Sequence, residues 1–385
     1  MKWPLATLED VITFRGGGTP RKDNPSYWSD EIPWATVKDF KGLCLSETQD
    51  SISAKGLESS SANLIPAGHV IIPTRMALGK AAINSIDLAI NQDLRALIPK
   101  KPVDTTYLLH SMLGLADIIE RNGSGATVKG ITQAKLAKLQ IPLPPLAEQK
   151  RIAAILDAAD GLRAKRRESL AQLDTLLQST FLDMFGDPVT NPKGWKIISV
   201  GDEIEFLTSG SRGWAQYYAD SGAIFIRIQN LKNGRLDLSD IAYVDPPESA
   251  EARRTKVVPG DVLLSITADL GRTAVVPEGI GTAHINQHLA ILRFKDLNPV
   301  FVSYQLASNG GQSQFARLNR EGVKAGLNFN DVKSVQLTKP PLDLQHRFAT
   351  IVESIEQQKA RLRSHLAELD TLFASLQQRA FNGEL

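Results

Sequence analysis

The sequence predicts an α/β protein: two mixed α/β globules separated by two long antiparallel helices that form a coiled-coil-like spacer, with an internal pseudo-twofold repeat. Three observations carry this. Pro144-Pro145-Leu146 recurs as Pro340-Pro341-Leu342, and Leu170-Ala171-Gln172-Leu173-Asp174-Thr175-Leu176 recurs as Leu366-Ala367-Glu368-Leu369-Asp370-Thr371-Leu372. Since 342 − 146 and 370 − 174 both give 196, no gap intervenes, and about 17 of 44 aligned positions are identical. Both stretches space apolar residues at steps of three and four, the signature of an amphipathic helix. Upstream of each lies a loosely similar segment that shares landmarks: Trp3, Leu5, Leu8, Asp10, Ile12 and Phe14 match Trp195, Ile197, Val200, Asp202, Ile204 and Phe206 at a constant offset of 192.

In chain order, residues 1–143 carry short β-type runs such as Val70-Ile71-Ile72 and Ala96-Leu97-Ile98 between Gly and Pro, and read as the first globule. Residues 144–187 change character. Ile152, Ile155, Leu156, Ala159, Leu162, Leu170, Leu173, Leu177, Thr180 and Met184 make an apolar stripe, with Arg163, Lys165, Arg166, Arg167 and Glu168 between its members. A helix of about 40 residues is about 60 Å long. Gly186-Asp187-Pro188 stops it, and residues 188–339 form the second globule. Residues 340–385 hold the second helix, with Phe348, Ile351, Ile355, Leu362, Leu366, Leu369, Phe373 and Leu376 on its stripe. Neither helix is stable alone in water, so the two are expected to pack on each other. A helical hairpin can also be only a dimerisation device; duplication of the stripe together with its globule favours an internal spacer.

The globules share further landmarks. Gly16-Gly17-Gly18-Thr19-Pro20 corresponds to Ser209-Gly210-Ser211-Arg212-Gly213, flexible loops able to approach a ligand closely. Leu78-Gly79-Lys80 parallels Leu270-Gly271-Arg272, and Ile90-Asn91-Gln92-Asp93-Leu94 parallels Ile285-Asn286-Gln287-His288-Leu289.

Composition narrows the function. The 385 residues include 42% hydrophobic ones, enough for two or three globular domains. The lone Cys44, an N-terminus without a signal-peptide core and the lack of an apolar run of about 18 residues make the cytoplasm the expected compartment. A net charge of only +2 is weak for a polyanion binder, so any nucleic-acid surface must be local or shared with a partner.

The chain resembles the specificity subunits of type I restriction-modification enzymes. The resemblance rests on Pro-Pro-Leu-x-x-Gln at the head of both helices (Pro144 to Gln149 and Pro340 to Gln345), the Gly-Gly-Thr-Pro loop and the Asn-Gln pair in each globule. It departs at Gly210-Ser211-Arg212-Gly213 in place of Gly-Gly-Thr-Pro, and at Leu344 where the first helix has Glu148. It implies two target-recognition domains, each reading one half of a split, asymmetric double-stranded DNA sequence. The helices would set the gap and dock two methyltransferase subunits, and restriction endonuclease/translocase subunits would join that core. No cofactor is then expected on this chain: S-adenosylmethionine would belong to the methyltransferase subunits, ATP and Mg to the restriction subunit.

Base readout uses Arg or Lys on guanine and Asn or Gln on adenine, with hydroxyl and backbone groups on phosphates. Candidates in the first globule are Arg15, Thr19, Arg21, Lys22, Arg75, Lys80, Gln92 and Lys129; in the second, Ser211, Arg212, Arg227, Gln229, Asn230, Lys232, Arg272, Gln287 and Lys324. Each taken singly is also readable as a solvated surface group. Gln92 and Gln287 recur in both globules, which suits a backbone-holding or phosphate role better than base selection. The cluster Arg163-Lys165-Arg166-Arg167 reads as a solvated helix face, or as a place where DNA passes or a methyltransferase docks.

Catalytic signals are weak. Asp245-Pro246-Pro247 resembles the Pro-Pro-aromatic loop of an adenine methyltransferase, but Glu248 stands where the ring should be. His284 and His288 have ligand spacing without a third ligand or a glutamate base. Glu148-x-Lys150 lacks a partner aspartate, and no phosphate-gripping Gly-x-x-x-x-Gly-Lys-Ser/Thr occurs. The chain is expected to be a non-catalytic subunit; the alternative is a non-catalytic scaffold built on the duplicated helical hairpin that reads no DNA.

Overall fold

A computed structural model describes residues 3–125, 127–232, 234–319 and 326–385. The chain forms two compact units, Met1–Arg167 with Ser364–Leu385, and Glu168–Arg363. Each unit therefore holds one globule and a stretch of both long helices.

In the first unit a five-stranded sheet runs in the order Ile12–Gly16, Leu94–Pro99, Val70–Pro73, Ala82–Asn84, Cys44–Leu45. A four-stranded sheet has the order Asp50–Ile52, Ile32–Ala35, Leu88–Ile90, Asn63–Ile65. Because side chains alternate across a strand, one strand feeds two cores. Val70 and Ile72 pack with Leu108 and Met112 of helix Thr105–Gly114, while Ile71 between them packs with Leu88 and Ile90 of the second sheet. An apolar run is thus the correct sequence for a strand buried on both faces.

The second unit repeats the scheme. Its six-stranded sheet begins Ile204–Ser209, Leu289–Phe294, Val262–Ser265, and its four-stranded sheet contains Ala223–Ile226 beside Ala283–Ile285. Val262 and Leu264 face Phe301 of helix Pro299–Ala307, whereas Leu263 faces Ile285 and Leu289. Both four-stranded sheets hold one parallel pair, Trp34 opposite Ala89 and Phe225 opposite His284. His284 is buried, 5.2 Å from the Trp214 ring centroid, with Nδ1 3.4 Å from Thr255 Oγ1. That burial, reinforced by the Lys256 charge, lowers its pKa.

The long helices span Leu146–Phe185 and Leu342–Asn382. The structure explains the duplicated Pro-Pro-Leu-x-x-Gln motif. Gln149 donates through Nε2 to the Pro144 carbonyl at 2.8 Å and accepts the Asp104 backbone N–H at 2.9 Å. Gln345 does the same with the Pro340 carbonyl at 2.8 Å and the Asn298 N–H at 2.9 Å. Asp104 and Asn298 cap the globule helices Thr105–Gly114 and Pro299–Ala307. One buried glutamine in each copy therefore latches a long helix to its own globule. Gly186, at φ +78°, ends the first long helix with its N–H 2.8 Å from the Leu182 carbonyl.

Within each unit the two helices pack antiparallel. In the first, Ile152, Ala153 and Leu156 bury against Ala380, Phe373, Leu376 and Tyr107. In the second, Phe181 and Phe185 pack on Phe348 at 5.5 and 5.4 Å and on Phe301 at 5.9 and 4.7 Å. A charged triad accompanies each contact. Arg163 bonds Asp370 at 2.7 Å and Asp160 at 2.6 Å, with its guanidinium 4.4 Å from the Phe373 ring. Lys359 bonds Asp174 at 2.6 Å and also Glu356. Each member of the second triad is a member of the first displaced by 196, since 359 − 163, 370 − 174 and 356 − 160 all give that number.

Leu162 departs from the expected stripe and is 54% exposed. Its neighbour Arg163 takes the inward position over Phe373, and a rotation of about 100° per residue turns Leu162 to solvent.

Lys359 is only 3% exposed, so its removal strands two carboxylates. Lys359→Ala is expected to lower stability by about 1–3 kcal/mol, less than for a fully buried pair because Asp174 is half exposed. Lys359→Met, which keeps the packed stem but also removes the charge, should cost nearly as much as Lys359→Ala; a denaturation midpoint for Lys359→Met close to the wild type would assign the loss to packing instead.

His284 yields a pH prediction. Its folded pKa lies below the ordinary value, so below about pH 6.5 the unfolded chain takes up a proton that the folded chain refuses. Its contribution is complete above that pH and is lost as pH falls. The stability gap between the protein and its His284→Gln variant should therefore narrow from pH 7 to pH 5; a constant gap would show that His284 titrates as freely in the folded state.

Candidate nucleic-acid interface

The glycine loop and the Asn-Gln turn, far apart in sequence, meet in both globules. A Cβ on Gly17 would lie 1.9 Å from the Ile90 carbonyl oxygen, and one on Gly210 2.0 Å from that of Asn286. Glycine is thus required by the close approach of the chain's own strand, a reason different from the flexibility expected of the loop. The loops are secured by Gly18 N–H to Ile90 O and by Gly210 N–H to Leu289 O, both 3.0 Å.

In each turn the Asn builds the backbone and the Gln faces outward. Asn91 Oδ1 accepts the Asp93 N–H at 3.0 Å, and Asn286 Oδ1 accepts the His288 N–H at 3.2 Å. Gln92 and Gln287 are exposed. A third segment closes the site. Arg75 pairs with Gly130, Thr267 with Gly326, and the residues that follow, Met76 and Ala268, take left-handed φ values of 66° and 62°. Two non-glycine residues in that conformation at equivalent places mark a loop held by its surroundings.

The same frame carries different side chains. In the first globule Thr19 donates to Gln92, Arg75 lies 3.5 Å from Asp93, and the Lys129 carbonyl accepts the Met76 N–H at 3.0 Å. Thr19, Gln92, Arg75 and Lys129 therefore share one edge. Arg15 and Lys22 are exposed, Arg21 is paired with Asp23 at 2.8 Å, and Lys80 donates to the Phe40 carbonyl at 3.1 Å. Asn63 Nδ2 and Trp34 Nε1 hold the loop through the Gly16 and Gly18 carbonyls, at 2.9 and 3.0 Å.

In the second globule the loop is held by Arg254, which donates to Thr208 Oγ1 at 2.8 Å, the Ser209 carbonyl at 2.6 Å and Ser211 Oγ at 2.8 Å. Ser211 is consequently buried, while Arg212 and Lys232 are exposed. Arg227, Gln229 and Asn230 converge on the segment ending at Asp240. Arg227 and Asn230 donate to its carbonyl at 3.0 and 2.9 Å, and Gln229 to its carboxylate at 3.0 Å. Gln229 and Arg227 hold that carboxylate below its ordinary pKa. Arg272 pairs with Asp269, Gln287 lies beside His288, and Thr267 bonds His288 Nδ1 at 2.6 Å. Lys324 lies outside the described residues.

Sequence reasoning missed Arg253, Arg254 and Lys256, which fall between landmarks. Two consecutive arginines in the last turn of the helix Ala250–Thr255 were the available signal. In the mid-helix basic cluster, Arg163 and Arg167 both reach Asp370, the latter at 3.2 Å, so these two charges serve helix pairing. Among the described residues no helix is long and apolar enough to cross a membrane.

Residues 1–173 match the family model for the type I restriction modification DNA specificity domain. The type I restriction enzyme MjaIX specificity subunit of Methanocaldococcus jannaschii is 26% identical over 60% of this chain and 59% of its own length. The EcoBI specificity subunit of Escherichia coli is 26% identical over 100% of this chain and 86% of its own length. The crystal structure of a type I restriction-modification system S subunit from M. genitalium shares the fold, with a TM-score of 0.58 at 13% identity over 98% of this chain and 96% of that one. Residues 1–173 thus match the DNA specificity domain of type I restriction-modification systems, and over its whole length the chain is similar to specificity subunits of type I restriction enzymes.

Proposed function

We propose that this chain reads a two-part, asymmetric DNA sequence, one half-site per globule, and that its long helices set the gap and dock two methyltransferase subunits, to which restriction endonuclease/translocase subunits are added. S-adenosylmethionine then belongs to the methyltransferase subunits, and ATP with Mg to the restriction subunit. The observation that carries this reading is the doubled frame with unlike chemistry. The glycine loop, Asn-Gln turn and left-handed loop recur, but Thr19, Arg75 and Lys129 surround one copy and Ser211, Arg254 and His288 the other. A repeated backbone with different polar groups suits two readers of different sequences, because base identity is discriminated by side chains at groove edges. A scaffold that reads no DNA gives no reason for exposed polar turns to differ in this way.

Exchanging residues 1–143 for the corresponding globule of another specificity subunit should change one half of the methylated sequence and leave the other half intact. Methylation-sensitive sequencing of the host genome checks this; an unchanged target would leave only the scaffold reading.

The helices supply a second expectation. Inserting about four residues, one turn, into both long helices adds about 6 Å. With base pairs about 3.4 Å apart, the gap should grow by one or two base pairs while both half-sites persist. A gap of unchanged length would remove the helices from the role of spacer.

A further inference from the structure

Beside the Gly210–Ser211 loop lies an open groove of about 450 Å³ whose walls include Phe206, Arg253, Arg254, Lys256 and Arg293. Four cations on one groove stand out in a chain whose net charge is +2. Two of them are engaged. Arg254 holds the loop through Thr208, Ser209 and Ser211 and lies 3.8 Å from Glu251. Arg293 forks onto the buried Asp261 at 2.7 and 3.0 Å, with its guanidinium 5.0 Å from the Phe206 ring; Asp261 first, and Glu205 more weakly, raise its pKa. Arg253 and Lys256 remain. Both are exposed, and neither has an ion-pair partner among the described residues.

We propose that this groove seats the phosphate backbone of DNA at the second globule, with Arg253 and Lys256 each neutralising a phosphate beside the loop that Arg254 fixes. The inference rests on the DNA-reading function proposed above and adds to it a surface that the sequence candidates do not include. Phosphate is the fitting ligand because neither side chain is held in a fixed orientation. Base selection needs an aimed fork or amide, whereas a phosphate contact needs charge at the right distance. Position favours DNA over an acidic protein face: Arg254 ties the groove wall to the loop that lies against Asn286, next to the exposed Gln287.

The test uses the full chain assembled with its methyltransferase subunits and two duplexes, one of mixed sequence and one carrying the sequence found methylated in the host. Affinity is measured across a salt series for the wild type, R253A/K256A and the charge-preserving R253K/K256R. Each phosphate contact contributes about −0.9 to the slope of log K against log salt, so R253A/K256A should flatten it by about 1.8 on both duplexes; between 50 and 200 mM salt the wild type then loses about tenfold more affinity than the variant. R253K/K256R should restore the wild-type slope, and the methylated sequence should be the same for all three proteins. An unchanged slope in R253A/K256A, with DNA binding intact, overturns the groove alone and leaves the function standing. Loss of methyltransferase subunits from R253A/K256A at unchanged slope assigns the groove to an acidic protein face and overturns it equally. A wild-type complex that binds neither duplex overturns the DNA-reading function, and the groove with it.

Discussion

A forty-residue helix persists in water only where its apolar face is covered, and this chain meets that requirement separately in each unit. Covering the stripe is not sufficient, because aliphatic and aromatic side chains tolerate sliding by a turn far better than charges do. The triads Arg163–Asp160–Asp370 and Lys359–Glu356–Asp174 remove that freedom. A slip of one turn would leave Lys359, almost wholly buried, without its carboxylates, a penalty several times that of losing a surface pair. Ion pairs of this kind add little net stability; what they add is discrimination among registers. Since the helices also carry the Gln149 and Gln345 latches, their register is transmitted to the capped ends of the globule helices.

The globules follow the same economy. Their shared frame is made of backbone: glycines pressed against a strand, Asn turns, and strands whose two faces feed two cores. None of these elements depends on what an exposed side chain is. The groups that differ are Thr19 with Gln92 in one globule and Ser211 with Arg254 in the other. Even the device that holds the glycine loop differs, Asn63 and Trp34 in the first globule and Arg254 in the second.

Much of this was legible in the sequence, and the limits have physical reasons. The repeat at 196 gave the two helices and their pairing, because amphipathic periodicity is local and the copy is gapless. The Pro-Pro-Leu-x-x-Gln motif was visible, but not the work of its glutamine, whose acceptor and donor include a backbone group 45 residues away. Leu162 was misplaced because periodicity alone ranks it above Arg163; the fact that an arginine outcompetes it depends on Asp370, 207 residues distant. The triads did have a sequence signal, an acid and a base preserved at the same offset in both copies. Arg254 had only its adjacency to Arg253, which says nothing of its partners at Thr208, Ser209 and Ser211 on another strand and loop. Ser211 and Asn230 looked like outward donors and are instead buried in internal bonds.

The distribution of charge follows from the same division between frame and surface. Several of the candidate arginines are held by carboxylates: Arg21 by Asp23, Arg75 by Asp93, Arg227 by Asp240, Arg272 by Asp269. Such a pair gives up long-range attraction, since the two charges nearly cancel beyond a Debye length of about 8 Å at physiological salt, but it orients the guanidinium fork. Orientation is what discrimination between bases requires, and uncompensated charge is what attraction to phosphates requires. One side chain cannot supply both to the full extent. A chain with nearly balanced charge can therefore be a selective reader provided that some of its unpaired cations lie next to its oriented ones, which is the relation between Arg253 and Lys256 and the Arg254-held loop beside them.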